Sequence, residues 1–237
     1  MKRYTPVLVL TAILSIAPLA LAEDLEQVEQ KIISAAEKVK SCQADLTTLT
    51  TMDTPQMTMK SEGKGSFEFE LKDGKSLSRT ELKMATTTTA AGQENHMESE
   101  TLSITDGEFS WVLADQMGQK MAIKRKLDEA AVGVASKAMF DALGEDFNLK
   151  RLDDAKCDGR EAYVIEATPK QPGATGKQIY YFDKDTGMLL KAETFTPEDK
   201  LLSTTTITNY KVNVPIDPKR FVFTVPDGVT VMDQSRM

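Results

Sequence analysis

Residues 65–82 read GSFEFELKDGKSLSRTEL. Phe67, Phe69 and Leu71 alternate with Ser66, Glu68 and Glu70. A period of two sets the apolar side chains on one face of a strand and the polar ones on the other. KDGK at 72–75 supplies an Asp-Gly turn, and the stretch after it reads as a second strand. One dry face and one wet face mark an antiparallel sheet.

The same signature extends outward in both directions. DLTTLTTM (45–52), PQMTMK (55–60) and HMESETLSI (96–104) are Thr-rich or alternating segments. TDGE at 105–108 opens another hairpin into FSWVLADQ, which holds Trp111, the only tryptophan. Downstream, REAYVIEATP (160–169), KQIYYFD (177–183), GMLLKAETFT (187–196), KLLSTTTITNYKV (200–212) and RFVFTVP (220–226) repeat the pattern. The sum is a meander of about ten antiparallel strands, and a sheet of that size must curl.

Two stretches depart from period two. In residues 23–46, Leu25, Val28, Ile32, Ala35, Val39, Cys42 and Leu46 recur at spacings of three and four, which predicts an amphipathic helix. Residues 127–143, LDEAAVGVASKAMFDAL, are Ala-rich and apolar nearly all round, which predicts a second helix stopped by Gly144. Ahead of both, Lys2 and Arg3 precede an apolar run that closes on Ala20-Leu21-Ala22. That pattern is a cleavable secretory signal at 1–22, leaving 23–237 as a single domain outside the cytoplasm. No cysteine follows the signal, so no lipid attachment is expected, and no later run is long enough to span a bilayer.

The net charge is −7 over 237 residues, which argues against nucleic acid and against charge-driven binding to anionic membranes. The two cysteines, Cys42 and Cys157, form a candidate disulfide in an oxidising compartment, with two buried thiols as the alternative. His96 is the single histidine, and no nucleophile elbow, metal-ligand cluster or phosphate loop accompanies it. No catalysis, resident metal or cofactor is expected. Met52, Met57 and Met59 are clustered thioethers of a kind that can hold Cu(I). The competing reading has methionines lining an adaptable apolar surface.

The apolar side chains form a long set. Met57, Met59, Phe67, Phe69, Leu71, Phe109, Trp111, Leu113, Met121, Ile123, Phe221 and Phe223 are assigned to one sheet face, with Met139 and Phe140 from the central helix. Two helices can cover only part of such a sheet. Either the sheet closes into a packed core or an apolar cavity remains.

The post-signal helix, ITDGEFSWVLADQMGQKM (104–121), YYFDKDTGMLLKAETFTPEDKLLSTTTITNY (180–210) and IDPKRFVFTVPDGVTVMD (216–233), in this order, resemble the LolA-like periplasmic lipoprotein carriers. The resemblance implies a mostly β chain with helices (α+β): an unclosed antiparallel β-barrel with an N-terminal helix and a central lid helix. It implies an apolar trough that shields the acyl chains of lipoproteins or lipids crossing the periplasm, with an inner-membrane transporter and an outer-membrane acceptor as partners and a monomeric state. Exposing an acyl chain of about fifteen methylenes to water costs roughly 12 kcal/mol, which a trough would offset. An arginine closes the lid in that family, and Arg79 and Arg125 are the candidates by strand position. The same fold also serves sensors of lipids or lipoproteins that regulate an envelope stress response.

Overall fold

The computed structural model describes residues 24–116, 118–127, 137–173 and 175–235. The expected signal segment and the first part of the expected central helix lie outside these residues.

Helix α1 spans Leu25–Ala36. It starts where the Asp24 carboxylate accepts from the Gln27 N–H at 2.9 Å, an N-cap. Val28, Ile32, Ala35 and Ala36 form its buried stripe. The helix is shorter than its periodicity predicts, because Ser41–Asp53 is a strand, β1. Cys42, Ala44 and Leu46 fit a period of two as well as a helical stripe. Pairing to strands on both sides settles the choice for this segment.

The remaining strands are β2 Met57–Lys72, β3 Lys75–Ala90, β4 Gln93–Thr105, β5 Phe109–Gln116 and β6 Gln119–Lys126, then β7 Phe147–Cys157, β8 Arg160–Pro169, β9 Gln178–Asp183, β10 Leu189–Phe195, β11 Leu201–Val212 and β12 Thr230–Asp233. Helix α2, Lys137–Asp146, lies between β6 and β7 and runs through Gly144 instead of stopping there. The twelve strands form one sheet in the order β12-β6-β5-β4-β3-β2-β1-β11-β10-β9-β8-β7. The sheet is not closed, so the fold class is the expected mostly β, unclosed antiparallel barrel with helices. Its one parallel pair is β12 on β6. RFVFTVP is not a strand: Pro218–Phe221 is a 3-10 turn, and the sheet resumes only at Thr230.

Val28, Ile32 and Ala36 of α1 meet Phe140 of α2 and Ile165 and Phe182 of β8 and β9 in one core cluster. A second cluster joins Val39, Cys42, Ala44, Phe69 and Met188. Cys42 and Cys157 are both free thiols. Cys42 shares the α1 side of the sheet with its partner Phe69, whereas Cys157 pairs with Arg160 on the opposite face. The expected bridge is therefore not made. Burial pushes the Cys42 thiol up to about 12, so it stays protonated.

The β9–β10 hairpin is where α1 seats. Asp183, 1% exposed, accepts from Arg160 Nε at 2.5 Å and Nη2 at 2.9 Å, and from the Thr186 N–H and hydroxyl at 2.8 Å each. Burial alone would raise this carboxyl, but the hydrogen bonds from Arg160 and Thr186 outweigh it and hold the group below the usual range. Its contribution to stability is therefore complete above the unfolded value of about 3.9 and is lost as pH falls through the lower folded value. Asp183→Asn is expected to cost about 2 kcal/mol at pH 7. It is also expected to flatten the fall in stability below pH 4, as read by urea unfolding at pH 7 and pH 3.

Gly187 closes the same hairpin with φ +65, and a Cβ there would lie 2.2 Å from the Ile32 carbonyl oxygen of α1. Only glycine permits both the left-handed backbone and this approach. Gly187→Ala is expected to lower the unfolding free energy by about 3 kcal/mol, combining backbone strain and displacement of α1. A denaturant midpoint unchanged from wild type would contradict this.

Candidate functional site

Directly paired residues in a sheet point the same way, so the register sorts every side chain between two faces. The inner face is the one on which α1 lies. Across it run successive rows: Phe67, Thr80, Ser103, Val112, Ile123 and Met232; then Leu46, Gly65, Leu82, Thr101, Ala114 and Met121. Further along come Thr48, Gly63, Met84 and Ser99, then Thr50, Ser61, Thr86 and Met97, and finally Met52, Met59, Thr88 and Asn95. Gly63 and Gly65 let these strands approach closely: a Cβ on Gly65 would lie 1.8 Å from the Glu81 carbonyl oxygen.

Charge is segregated between the faces with one exception. Every Asp, Glu and Lys of β1 to β6 falls on the outer face, and the inner face of these strands carries Arg125 as its one charged side chain. What remains inside is apolar side chains, glycines, serines and threonines, with the amides Gln93, Asn95 and Gln119 at the far ends of the strands. Helix α1 covers this face over β7 to β9, and the Val39–Met188 cluster covers one end of β1 and β2. Beyond that cover, Met52, Met97, Met121 and Met232 are 36%, 39%, 42% and 47% exposed.

The expected site residues divide into three groups. Met57, Met59, Phe67, Met121 and Ile123 lie on the inner face, and Leu71 lies at its edge, exposed at the strand end. Phe69 and Phe140 also belong to the α1 side but are core residues, 2% and 4% exposed, with Met139 packed against the α1 cluster. Phe109, Trp111, Leu113, Phe221 and Phe223 do not belong to the inner face.

Thr105 pairs with Ser110, which turns Phe109, Trp111 and Leu113 outward opposite Lys126, Lys124 and Ala122. The Trp111 ring stacks on Phe223 with centroids 4.8 Å apart, and its indole N–H donates to Asp106 Oδ2 at 3.3 Å. Lys124 Nζ lies 3.7 Å from the Phe109 centroid, a cation–π contact. The outer face thus carries large apolar side chains among its charges in this region, because the chain after β11 crosses it. One tryptophan is explained: it anchors that crossing segment.

Arg79 belongs to the same crossing. Its Nη2 lies 2.5 Å from Glu81 Oε1 and its Nη1 donates to the Arg220 carbonyl at 3.2 Å, while Arg220 Nε donates to Glu68 Oε2 at 2.8 Å. The Arg79 hydrogen bond holds the Glu81 carboxyl below its usual range. Arg79 is therefore committed on the outer face and cannot close a lid over the inner one. Arg125 is on the inner face.

Leu46, Leu82, Met84, Met97, Val112, Ala114 and Met232 join the inner face although the sequence did not single them out for it. Met52 and Met59 are cross-strand partners, and Met57 shares their face. His96 pairs with Thr87 on the other face, where its Nε2 lies 2.7 Å from Glu94. The histidine thus cannot join those thioethers around a copper ion.

One protein-family model, described as "Uncharacterized protein", matches residues 135–224, less than half of the 237-residue chain. No curated protein matches the sequence. Similar solved structures include the Pseudomonas aeruginosa MucA/MucB complex, at TM-score 0.47 and 16% identity over 82% of this chain and 59% of that one. The Mycobacterium tuberculosis lipoprotein LppX aligns at 0.40 and 14% over 80% and 96%. A Vibrio parahaemolyticus domain provisionally described as an outer membrane lipoprotein-sorting protein aligns at 0.36 and 11% over 84% and 95%. The chain spans about three fifths of the MucB chains, 61% in the structure of MucB alone. An unclosed, mostly β sheet with an N-terminal and a central helix is the architecture that the sequence resemblance implies.

Proposed function

We propose that the protein is a periplasmic binder and carrier of acyl chains. The inner face of β1 to β6 receives the chains of lipids or lipoproteins for transfer across the envelope, without chemistry on the cargo. One observation carries the reading: in a chain with 27% charged residues, this face holds a single charge over six strands. A solvated sheet face has no reason to exclude lysine and glutamate, whereas a face that receives hydrocarbon must do so. Methionines supply an unbranched lining that conforms to chains of different length. An inner-membrane donor and an outer-membrane acceptor are the partners such a carrier requires. Titration of the protein with a fluorescent C16 acyl probe tests the reading. Saturable binding supports it, and no binding at micromolar protein contradicts it.

A further inference from the structure

The inner face ends in a row unlike the others. Ser78, Thr105, Ser110 and Arg125 are successive cross-strand partners on β3, β4, β5 and β6. The row holds three hydroxyls and the one charged side chain on this face of β1 to β6. Arg125 Nε donates to Gln234 Oε1 at 2.9 Å, just beyond β12. Arg79, Arg151, Arg160 and Arg220 each pair with a carboxylate. Among the described residues Arg125 alone among the arginines has no carboxylate partner, and its side chain is exposed.

Resting on the acyl-binding reading, we infer that this row is a headgroup subsite and that the cargo is a phospholipid. The lipid's phosphodiester meets the Arg125 guanidinium. The strand spacing of about 4.8 Å sets the Ser110 and Thr105 hydroxyls beside it, within reach of the glycerol oxygens. The acyl chains then run over the Val112–Ile123 row and the Leu82 row. A guanidinium suits this task because its paired N–H groups match two phosphate oxygens. The neutral inner face beyond the row gives the lipid a defined polarity, head at Arg125 and tails towards the methionines.

The test compares lysophosphatidylglycerol with a monoacylglycerol of the same acyl chain, on wild type, Arg125→Gln and Arg125→Lys, by competition against the fluorescent acyl probe. Wild type is expected to prefer the phosphate-bearing lipid by about 10-fold. Arg125→Gln is expected to remove that preference while leaving the monoacylglycerol affinity unchanged, and Arg125→Lys to restore part of it. Inorganic phosphate alone, at millimolar concentration, is expected not to displace the probe, which distinguishes a lipid headgroup from a free anion. Equal affinity for the two lipids, or an equal loss for both in Arg125→Gln, overturns the headgroup subsite and leaves acyl binding standing. Failure of both lipids and of the probe to bind overturns the acyl-binding reading itself.

Discussion

Leu82→Asp is expected to abolish acyl-probe binding at concentrations that saturate the wild type, a loss on the order of 100-fold or more. Leu82 lies in the middle of the inner face, between Gly65 and Thr101. A carboxylate there must lose water when a hydrocarbon chain covers it, at a cost of about 3 kcal/mol or more. The matched control is Leu49→Asp. Leu49 is 42% exposed and pairs with Glu62 on the outer face, so the added charge joins a surface already charged. It is expected to bind the probe as wild type does. Circular dichroism and urea midpoints for both variants separate lost binding from lost folding. Equal probe affinity in the two variants would place the ligand somewhere other than the inner face.

The second large effect is on stability. Phe182→Ala is expected to lower the unfolding free energy by about 4 kcal/mol, within the range for truncating a buried aromatic. Phe182 is 2% exposed, its ring lies 5.6 Å from Phe140 and 6.2 Å from Tyr180, and it joins Val28 and Ile32 in one cluster. It is the point at which α1, α2 and the β8–β9 pair meet. Both helices are therefore expected to loosen together, giving a single lowered transition by circular dichroism and hydrogen exchange that protects neither helix above the other. A loss under 1 kcal/mol would show that the helices are held elsewhere.

The sheet was legible in the sequence because alternation leaves a mark on every residue. SFEFEL assigns its own faces, and the pairing of Phe67 and Phe69 with Ala44 and Cys42 confirms them. What alternation within one strand leaves open is its phase relative to the next. FSWVLADQ has apolar residues at both phases, Phe109, Trp111 and Leu113 against Val112 and Ala114. Only the Thr105–Ser110 pairing decides which set points inward. Grouping the larger side chains with Phe67 gave the wrong face, because a covering segment lay unrecognised in the C-terminal residues. Phe221 and Phe223 look like a strand but serve as plugs under a crossing chain.

The end of α1 was hidden for a related reason. Cys42 and Leu46 continue the helical spacing of Val28 and Ile32, and no Gly or Pro intervenes between Ala36 and Ser41. Long-range pairing to β2 and β11 overrides the local pattern. The charge segregation of β2 and β3, by contrast, was in plain view in residues 57–90. Its functional meaning emerged only when the register joined six strands into one surface with a single charged side chain, Arg125.

The most direct test of acyl binding on the inner face is native mass spectrometry of the protein isolated from a periplasmic extract without detergent, followed by lipid extraction. The expected result is a co-purifying acylated mass that Leu82→Asp removes and that Trp111→Ala, on the outer face, retains. An apo mass in wild type, or a lipid that Trp111→Ala removes and Leu82→Asp keeps, would contradict it.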